Sequence, residues 1–292
     1  KMFNMLDGNP NVTLYTGTAS FTSPTEVMVD GKDYTAAITA EKIVIDTGSV
    51  PFMPPVAGLA DCPRAYTSEG MLDLERLPER LVIIGGGNIG LEFASLYRHF
   101  GSEVTVLQDL PGLFPNEDEE VAAAVRKTLE EQGVEFVYGV KVLSVTNEDG
   151  GAVVKYAAGG EEREARGDAV LVSTGRVPNT RELNLAAAGV ETTPRGAIVV
   201  DGKMRTTAPG VWAIGDVAGS PQFTYISQDD ARIVLDDFQG GTRTSAERNI
   251  PYSVFLFPPL SRVGLTEAAA RAKGHKVKTG TIPVTGLPRS HV

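Results

Sequence analysis

The chain is poor in the residues that carry chemistry by themselves. Of its 292 residues one is cysteine, one is tryptophan and three are histidine. A single cysteine, Cys62, excludes an internal disulfide and a cysteine-rich metal site, and it makes a cytoplasmic origin the default. No histidine neighbours it in sequence and Arg64 is the one nearby cation, so the thiol reads as structural rather than reactive. His99, His275 and His291 share no motif, which leaves metal binding and histidine catalysis without support and makes each a surface histidine. No apolar run approaches a membrane span and no signal peptide is visible, so no membrane is expected. Basic excess is missing too. Against 37 Asp and Glu stand 27 Lys and Arg, a net charge of −10 with no basic cluster, which argues against nucleic acid and anionic membranes as partners.

What the chain has in quantity is glycine, 32 residues, and a 42% apolar content, sufficient for one large domain or two to three smaller ones. The organising stretch is residues 81–92. Leu81, Val82, Ile83 and Ile84 form a continuous apolar run, as in a strand buried on both faces of a parallel sheet. Gly85, Gly86, Gly87, Asn88, Ile89 and Gly90 follow, in G-x-G-x-x-G spacing. With glycine this frequent about 0.4 such matches are expected by chance, so the flanks decide. Ile89, Phe93, Leu96 and Tyr97 share one helical face, Gly101 can close the helix, and a second strand follows over 103–107. This is the first βαβ unit of a dinucleotide fold. Gly85 permits the tight turn, Gly87 lets backbone amides approach a pyrophosphate, and Gly90 lets helix and strand pack closely. The bland alternative, a turn that binds nothing, is disfavoured by this context. Where an acid usually holds the adenosine ribose the chain has Gln108, beside Asp109. Residues 109–120 carry five acids and no cation, which disfavours a 2′-phosphate, so NAD is expected over NADP.

Residues 11–29 and 33–38 alternate with Ser-Pro and Asp-Gly turns and predict a small antiparallel meander. It leads into Ile43-Val44-Ile45-Asp46-Thr47-Gly48-Ser49-Val50-Pro51, and that phrase recurs as Val170-Leu171-Val172-Ser173-Thr174-Gly175-Arg176-Val177-Pro178. The pair reads as the entry and exit crossings of a domain inserted into another. Between them Asn116 is expected to cap a helix with Val121, Val125 and Leu129 on its core face, ended by Gly133. Strands are predicted over 134–137, 140–145 and 152–156, and Glu161, Glu162, Arg163 and Glu164 read as a solvated hairpin. Further on come a short strand over 197–200, the strand Val211-Trp212-Ala213-Ile214-Gly215-Asp216, and helical spacing over 223–238. Asp216 sits where a ligand hydroxyl at the carboxyl edge of a sheet would be bound, the alternative being a plain helix cap. A strand from Asn249 and a helix capped by Thr266 close the readable pattern.

The order of these motifs resembles the class I pyridine nucleotide-disulfide oxidoreductases, among them dihydrolipoamide dehydrogenase, glutathione reductase and mercuric reductase. Within that class, residues 222–227 and 258–264 are most similar to the bacterial reactive-chlorine-resistance flavoproteins. The resemblance implies an α/β fold: a Rossmann-like NAD domain (51–174) inserted into the remaining part of an FAD domain (1–50 and 175–248), with the start of a C-terminal dimerisation domain (249–292). It implies that residues 85–90, Glu92 and Gln108 contact NAD, with Val142 on the adenine side and Gly175 near the nicotinamide half. The counterpart of Glu92 sits by the nicotinamide and flavin. Thr47, Gly48 and Ser49 would approach FAD, Asp216 its ribityl or phosphate region. Gln222, Phe223, Thr224 and Tyr225 would present a helix N-terminus to the isoalloxazine oxygen. The family's N-terminal FAD glycine turn, its C-x4-C pair and its C-terminal His-Glu pair find no match here. The chain is therefore expected to be a fragment of a homodimeric parent that passes hydride from NADH to FAD and on to a Cys pair, disulfide or metal-ion substrate. Alone it is expected to keep at most NAD binding and to hold FAD weakly or not at all. The open alternatives are a non-catalytic NAD-binding sensor or scaffold, a single-cysteine NADH oxidase or peroxidase, and mercuric reductase itself.

Overall fold

The computed structural model describes residues 2–246 and 248–283. In chain order the strands are β1 Thr18–Ser23, β2 Glu26–Asp30, β3 Thr35–Thr39, β4 Ile43–Ile45, β5 Ser49–Pro51, β6 Ala65–Tyr66, β7 Arg80–Ile84, β8 Glu103–Gln108, β9 Val134–Tyr138, β10 Lys141–Glu148, β11 Gly151–Ala158, β12 Glu161–Gly167, β13 Ala169–Val172, β14 Arg176–Pro178, β15 Val211–Ala213, β16 Pro251–Val254 and β17 Leu260–Val263. The helices are α1 Met2–Asp7, α2 Ser68–Leu72, α3 Asn88–Phe100, α4 Glu119–Glu131, α5 Leu185–Ala188, α6 Thr224–Phe238 and α7 Glu267–Ala272. The chain divides into two compact units, one of Lys1–Phe52 with Gly175–Ile250 and one of Met53–Thr174 with Pro251–Val292. No helix among the described residues is long and apolar enough to cross a membrane.

In the second unit five strands form a parallel sheet in the order β6-β13-β7-β8-β9. Residues 81–84 of β7 and all of β13 are buried, as continuous apolar runs in a two-sided sheet require. Leu91, Ala94 and Tyr97 of α3 are buried, and α3 packs against β7 and β8. The meander β10-β11-β12 supplies Val145, Ala152, Val154 and Tyr156 to a core shared with Val82, Ile84, Leu107, Val170 and Val172. The acidic run 161–164 is its exposed outer strand. The first unit holds the meander β1-β2-β3 and two short pairings, β15 parallel to β4 and β14 antiparallel to β5. Ile43–Ile45 and Val211–Ala213 thus share one sheet.

Four expectations need correction. The first meander begins at Thr18, not at Asn11. Leu96 is 40% exposed, because Leu91 and Ala94 take the buried face of α3. The N-cap of α4 is Asp118 rather than Asn116, and its carboxylate accepts the Glu267 N–H at the start of α7 (3.0 Å) instead of capping its own helix. Residues 197–200 form no strand, only a bridge between Thr192 and Ile198. His291 lies outside the described residues.

The β16-β17 hairpin is tied to its unit by polar contacts. Tyr252 O–H donates to buried Glu117, Arg262 Nε lies 3.0 Å from Glu117 Oε2, and the Arg262 guanidinium stacks 4.9 Å over the Tyr252 ring. Burial first, and the Glu117 carboxylate second, push the Tyr252 hydroxyl up to about 12. Since the folded pKa is raised, the contact stabilises fully below the ordinary tyrosine value and is lost as pH rises toward 12. A spectrophotometric titration is expected to show one tyrosinate forming near pH 12, absent in Tyr252→Phe. The same last phase in both proteins would contradict it.

Candidate functional site

In the second unit β7 delivers the glycine turn to the N-terminus of α3. Gly85 has φ of +104°, and a Cβ there would lie 2.5 Å from Ser173 O. At Gly90 a Cβ would lie 2.0 Å from Gly85 O and 2.7 Å from Ser173 Oγ, so helix and strand touch through this glycine. Gly87 is the opposite case: a Cβ there meets nothing within 4 Å. It is the N-cap of α3 and supplies no side-chain cap, so the first-turn amides of Asn88 and Ile89 have no N-cap side chain to bond. An uncapped, thirteen-residue helix with an open glycine at its start fits an anion such as a pyrophosphate.

Side chains from both neighbouring strands fix the turn. Gln108, 5% exposed at the end of β8, accepts Gly86 N–H through Oε1 (2.9 Å), and its Nε2 is 3.4 Å from Gly112 O. Ser173, just past β13, places its hydroxyl 2.8 Å from Gly85 O and 3.1 Å from Ile84 O, while its N–H donates to Ile84 O. One turn into α3, Glu92 accepts Phe255 N–H (2.9 Å); burial raises its carboxyl against the opposing effect of that bond. Val142 on β10 sits at a register shift, partly buried against the sheet core.

A second cluster lies in the first unit, at the ends of β4 and β15. Their parallel pairing brings Asp46 and Asp216 to one edge. Ser49 Oγ donates to Asp216 Oδ2 (2.6 Å) and accepts from Arg176 Nε (2.7 Å), and Arg176 Nη2 donates to Ser49 O (2.7 Å). Thr47 Oγ1 donates to Asn179 O (2.8 Å). Burial, then the charges of Asp216 and Asp230, raise the Asp46 carboxyl. Gly48 (φ +66°) and Gly175 (φ +116°) both leave open space where a Cβ would stand. The N-terminus of α6 has no side-chain cap, Gln222, Thr224 and Tyr225 are exposed, and the Phe223 and Tyr225 rings stack at 5.4 Å. Open glycines, a carboxylate pair at the sheet edge and a fifteen-residue helix without a side-chain N-cap fit a polar, anion-bearing cofactor such as FAD.

The residues predicted from sequence therefore fall into two groups. One comprises 85–90, Glu92, Gln108 and Val142; the other comprises 47–49, Gly175, Asp216 and 222–225. Sequence reasoning missed Ser173 and Arg176, both inside the repeated Thr-Gly phrase, whose polar positions were the available signal. It also missed Asp230, fully buried on α6, which accepts Gly215 N–H (2.9 Å), Ser220 O–H (2.7 Å) and Arg248. Its signal was an acid at helical spacing between Ile226 and Ile233.

The family model described as pyridine nucleotide-disulphide oxidoreductase matches residues 1–231, and the model for that family's dimerisation domain matches 250–292. The probable pyridine nucleotide-disulfide oxidoreductase RclA of Escherichia coli (strain K12) is 41% identical over all of this chain and 66% of its own length. A mercuric reductase of Lysinibacillus sphaericus is 36% identical over 97% of this chain and 51% of its own. A dihydrolipoyl dehydrogenase of Thermus scotoductus is 36% identical over 98% and 61%. The solved structure of the HOCl-induced flavoprotein disulfide reductase RclA from Escherichia coli superposes with a TM-score of 0.91 at 40% identity, covering 99% of this chain and 65% of that one. The chain thus spans about half to two thirds of the length of the relatives it matches. With the glycine turn after β7, the Ser49–Asp216 edge and these matches together, this chain belongs to the pyridine nucleotide-disulphide oxidoreductase family.

Proposed function

We propose that this chain carries the nicotinamide- and flavin-binding parts of an FAD-dependent NADH oxidoreductase, a homodimer through its dimerisation segment, that passes electrons on to a cysteine pair, disulfide or metal-ion substrate. The observation that carries the reading is the uncapped start of α3 with open space at Gly87. There the Gly87, Asn88 and Ile89 amides would hold the pyrophosphate of NAD, Val142 would line the adenine side, and Glu92 would lie along the nicotinamide half. The FAD-side residues are Thr47, Gly48, Ser49 and Asp216, with residues 222–225 turning the positive end of α6 toward the flavin, while Gly175 would stand near the nicotinamide half. When bound, the flavin supplies two-electron acceptance from the nicotinamide and its relay to the acceptor. The chain's own residues bind and orient: Arg176 holds Ser49, and Ser49 holds Asp216, so the hydroxyl and carboxylate arrive at the sheet edge already aligned.

The acids from Asp109 to Glu120, with no cation among them, favour NADH over NADPH. Calorimetric titration is expected to give one NADH site per chain, with NADPH bound at least about tenfold more weakly, the factor that about 1.4 kcal/mol of phosphate repulsion produces. Equal affinity for the two would refute the NAD preference. No binding of either would refute the function.

A further inference from the structure

Taking the dinucleotide reading as its base, we infer that Ser173 and Gln108 are positioning residues that clamp a single peptide plane, Gly85–Gly86, and so decide which backbone amides face the phosphates. The carbonyl of that plane is held by the Ser173 hydroxyl at 2.8 Å and its N–H by the Gln108 carboxamide at 2.9 Å. The two side chains come from β13 and β8, the strands on either side of β7, so the plane is gripped from opposite flanks. Gly85 has φ of +104° and Gly86 follows with no side chain, so the backbone there rotates freely unless something holds it.

The clamp has a directional consequence. Gly86 N–H points into Gln108, away from solvent, and is not a phosphate donor; Gly87, Asn88 and Ile89 are the amides left to face the ligand. It also reassigns Gln108. A buried carboxamide whose oxygen is committed to the turn shapes the pyrophosphate site and does not read the ribose. Both clamping groups are neutral and do not titrate, so the turn keeps its shape across the physiological pH range.

Three measurements on the full chain test this. Hydrogen exchange is expected to show the Gly86 amide protected without any nucleotide, and exposed in Ser173→Ala and in Gln108→Leu. NADH is expected to bind about tenfold more weakly to Ser173→Ala and to recover in Ser173→Thr, which keeps a hydroxyl, while adenosine, which has no phosphate, binds both proteins equally. The double variant Ser173→Ala, Gln108→Leu is expected to lose less than the product of the single losses, because either release frees the same plane. Unprotected Gly86 in the wild type, unchanged NADH affinity in a folded Ser173→Ala, or fully multiplicative losses would each overturn the clamp. Failure of the wild type to bind NADH while Gly86 stays protected would instead overturn the dinucleotide reading on which the clamp's role rests.

Discussion

Gly90→Ala is expected to destabilise the unit that carries the glycine turn by about 3 kcal/mol and to weaken NADH binding at least about tenfold. The added Cβ would stand 2.0 Å from Gly85 O, a backbone atom in a turn pinned by β8 and β13, and 2.7 Å from Ser173 Oγ. Neither neighbour is the far end of a flexible side chain, so the strain falls on the helix–strand spacing itself. Gly112→Ala is the matched control, since a Cβ there meets nothing within 4 Å. Denaturant melts of the two variants beside the wild type give the comparison. A Gly90→Ala protein as stable as the control would mean that α3 does not approach β7 as described.

Asp237→Asn is the second large effect, and it concerns the other unit. The Asp237 side chain is 2% exposed and accepts from Arg205 Nε (2.7 Å), Lys203 Nζ (3.1 Å) and Trp212 Nε1 (3.1 Å). The Arg205 bonds, ahead of those from Lys203 and Trp212, hold its carboxyl well below the usual range against the cost of burial. Breaking a buried pair typically costs about 3–5 kcal/mol because a charge is stranded. Here the partners stay hydrated, with Lys203 27% and Arg205 49% exposed, so about 2 kcal/mol is expected. The pH dependence follows from the direction of the shift. A lowered folded pKa means that the contribution is present at neutral pH and is lost as pH falls below about 4, where the unfolded carboxylate takes up a proton. Urea melts should therefore show the gap between wild type and variant closing in acid. A gap that persists unchanged there would show that the carboxylate charge is not what stabilises.

Much of this was legible in the sequence because the informative patterns were local. The apolar run 81–84, the glycine spacing and the closing Gly101 each depend on a few adjacent residues, and β7, α3 and the left-handed Gly101 C-cap follow from them. Local logic failed where a side chain answers to a distant partner. Asp118, not Asn116, starts α4 because its carboxylate is needed at α7, 149 residues on. Gln108 stands at the strand end where a ribose ligand is expected, and its contact with the Gly86 amide 22 residues away was not readable from that position. Asp230 and Asp237 lie on the buried face of α6, and their partners Arg248, Lys203 and Arg205 are scattered in sequence. Leu96 misled for a simpler reason. The α3 stripe turns through Leu91 and Ala94, and a count of large apolar residues overlooks an alanine.

The central claim is that backbone amides beyond Ile84 hold the dinucleotide phosphates at Gly87. Its most direct measurement is the calorimetric affinity of Gly87→Val for NADH. Gly87 has φ of −79° and a Cβ there meets nothing within 4 Å, so valine fits the backbone at a cost of about 1 kcal/mol for a poorer helix N-cap while filling the place a phosphate would take. NADH binding abolished in a protein that still unfolds cooperatively, within about 1 kcal/mol of the wild type, is the predicted result; NADH bound as in the wild type would contradict it.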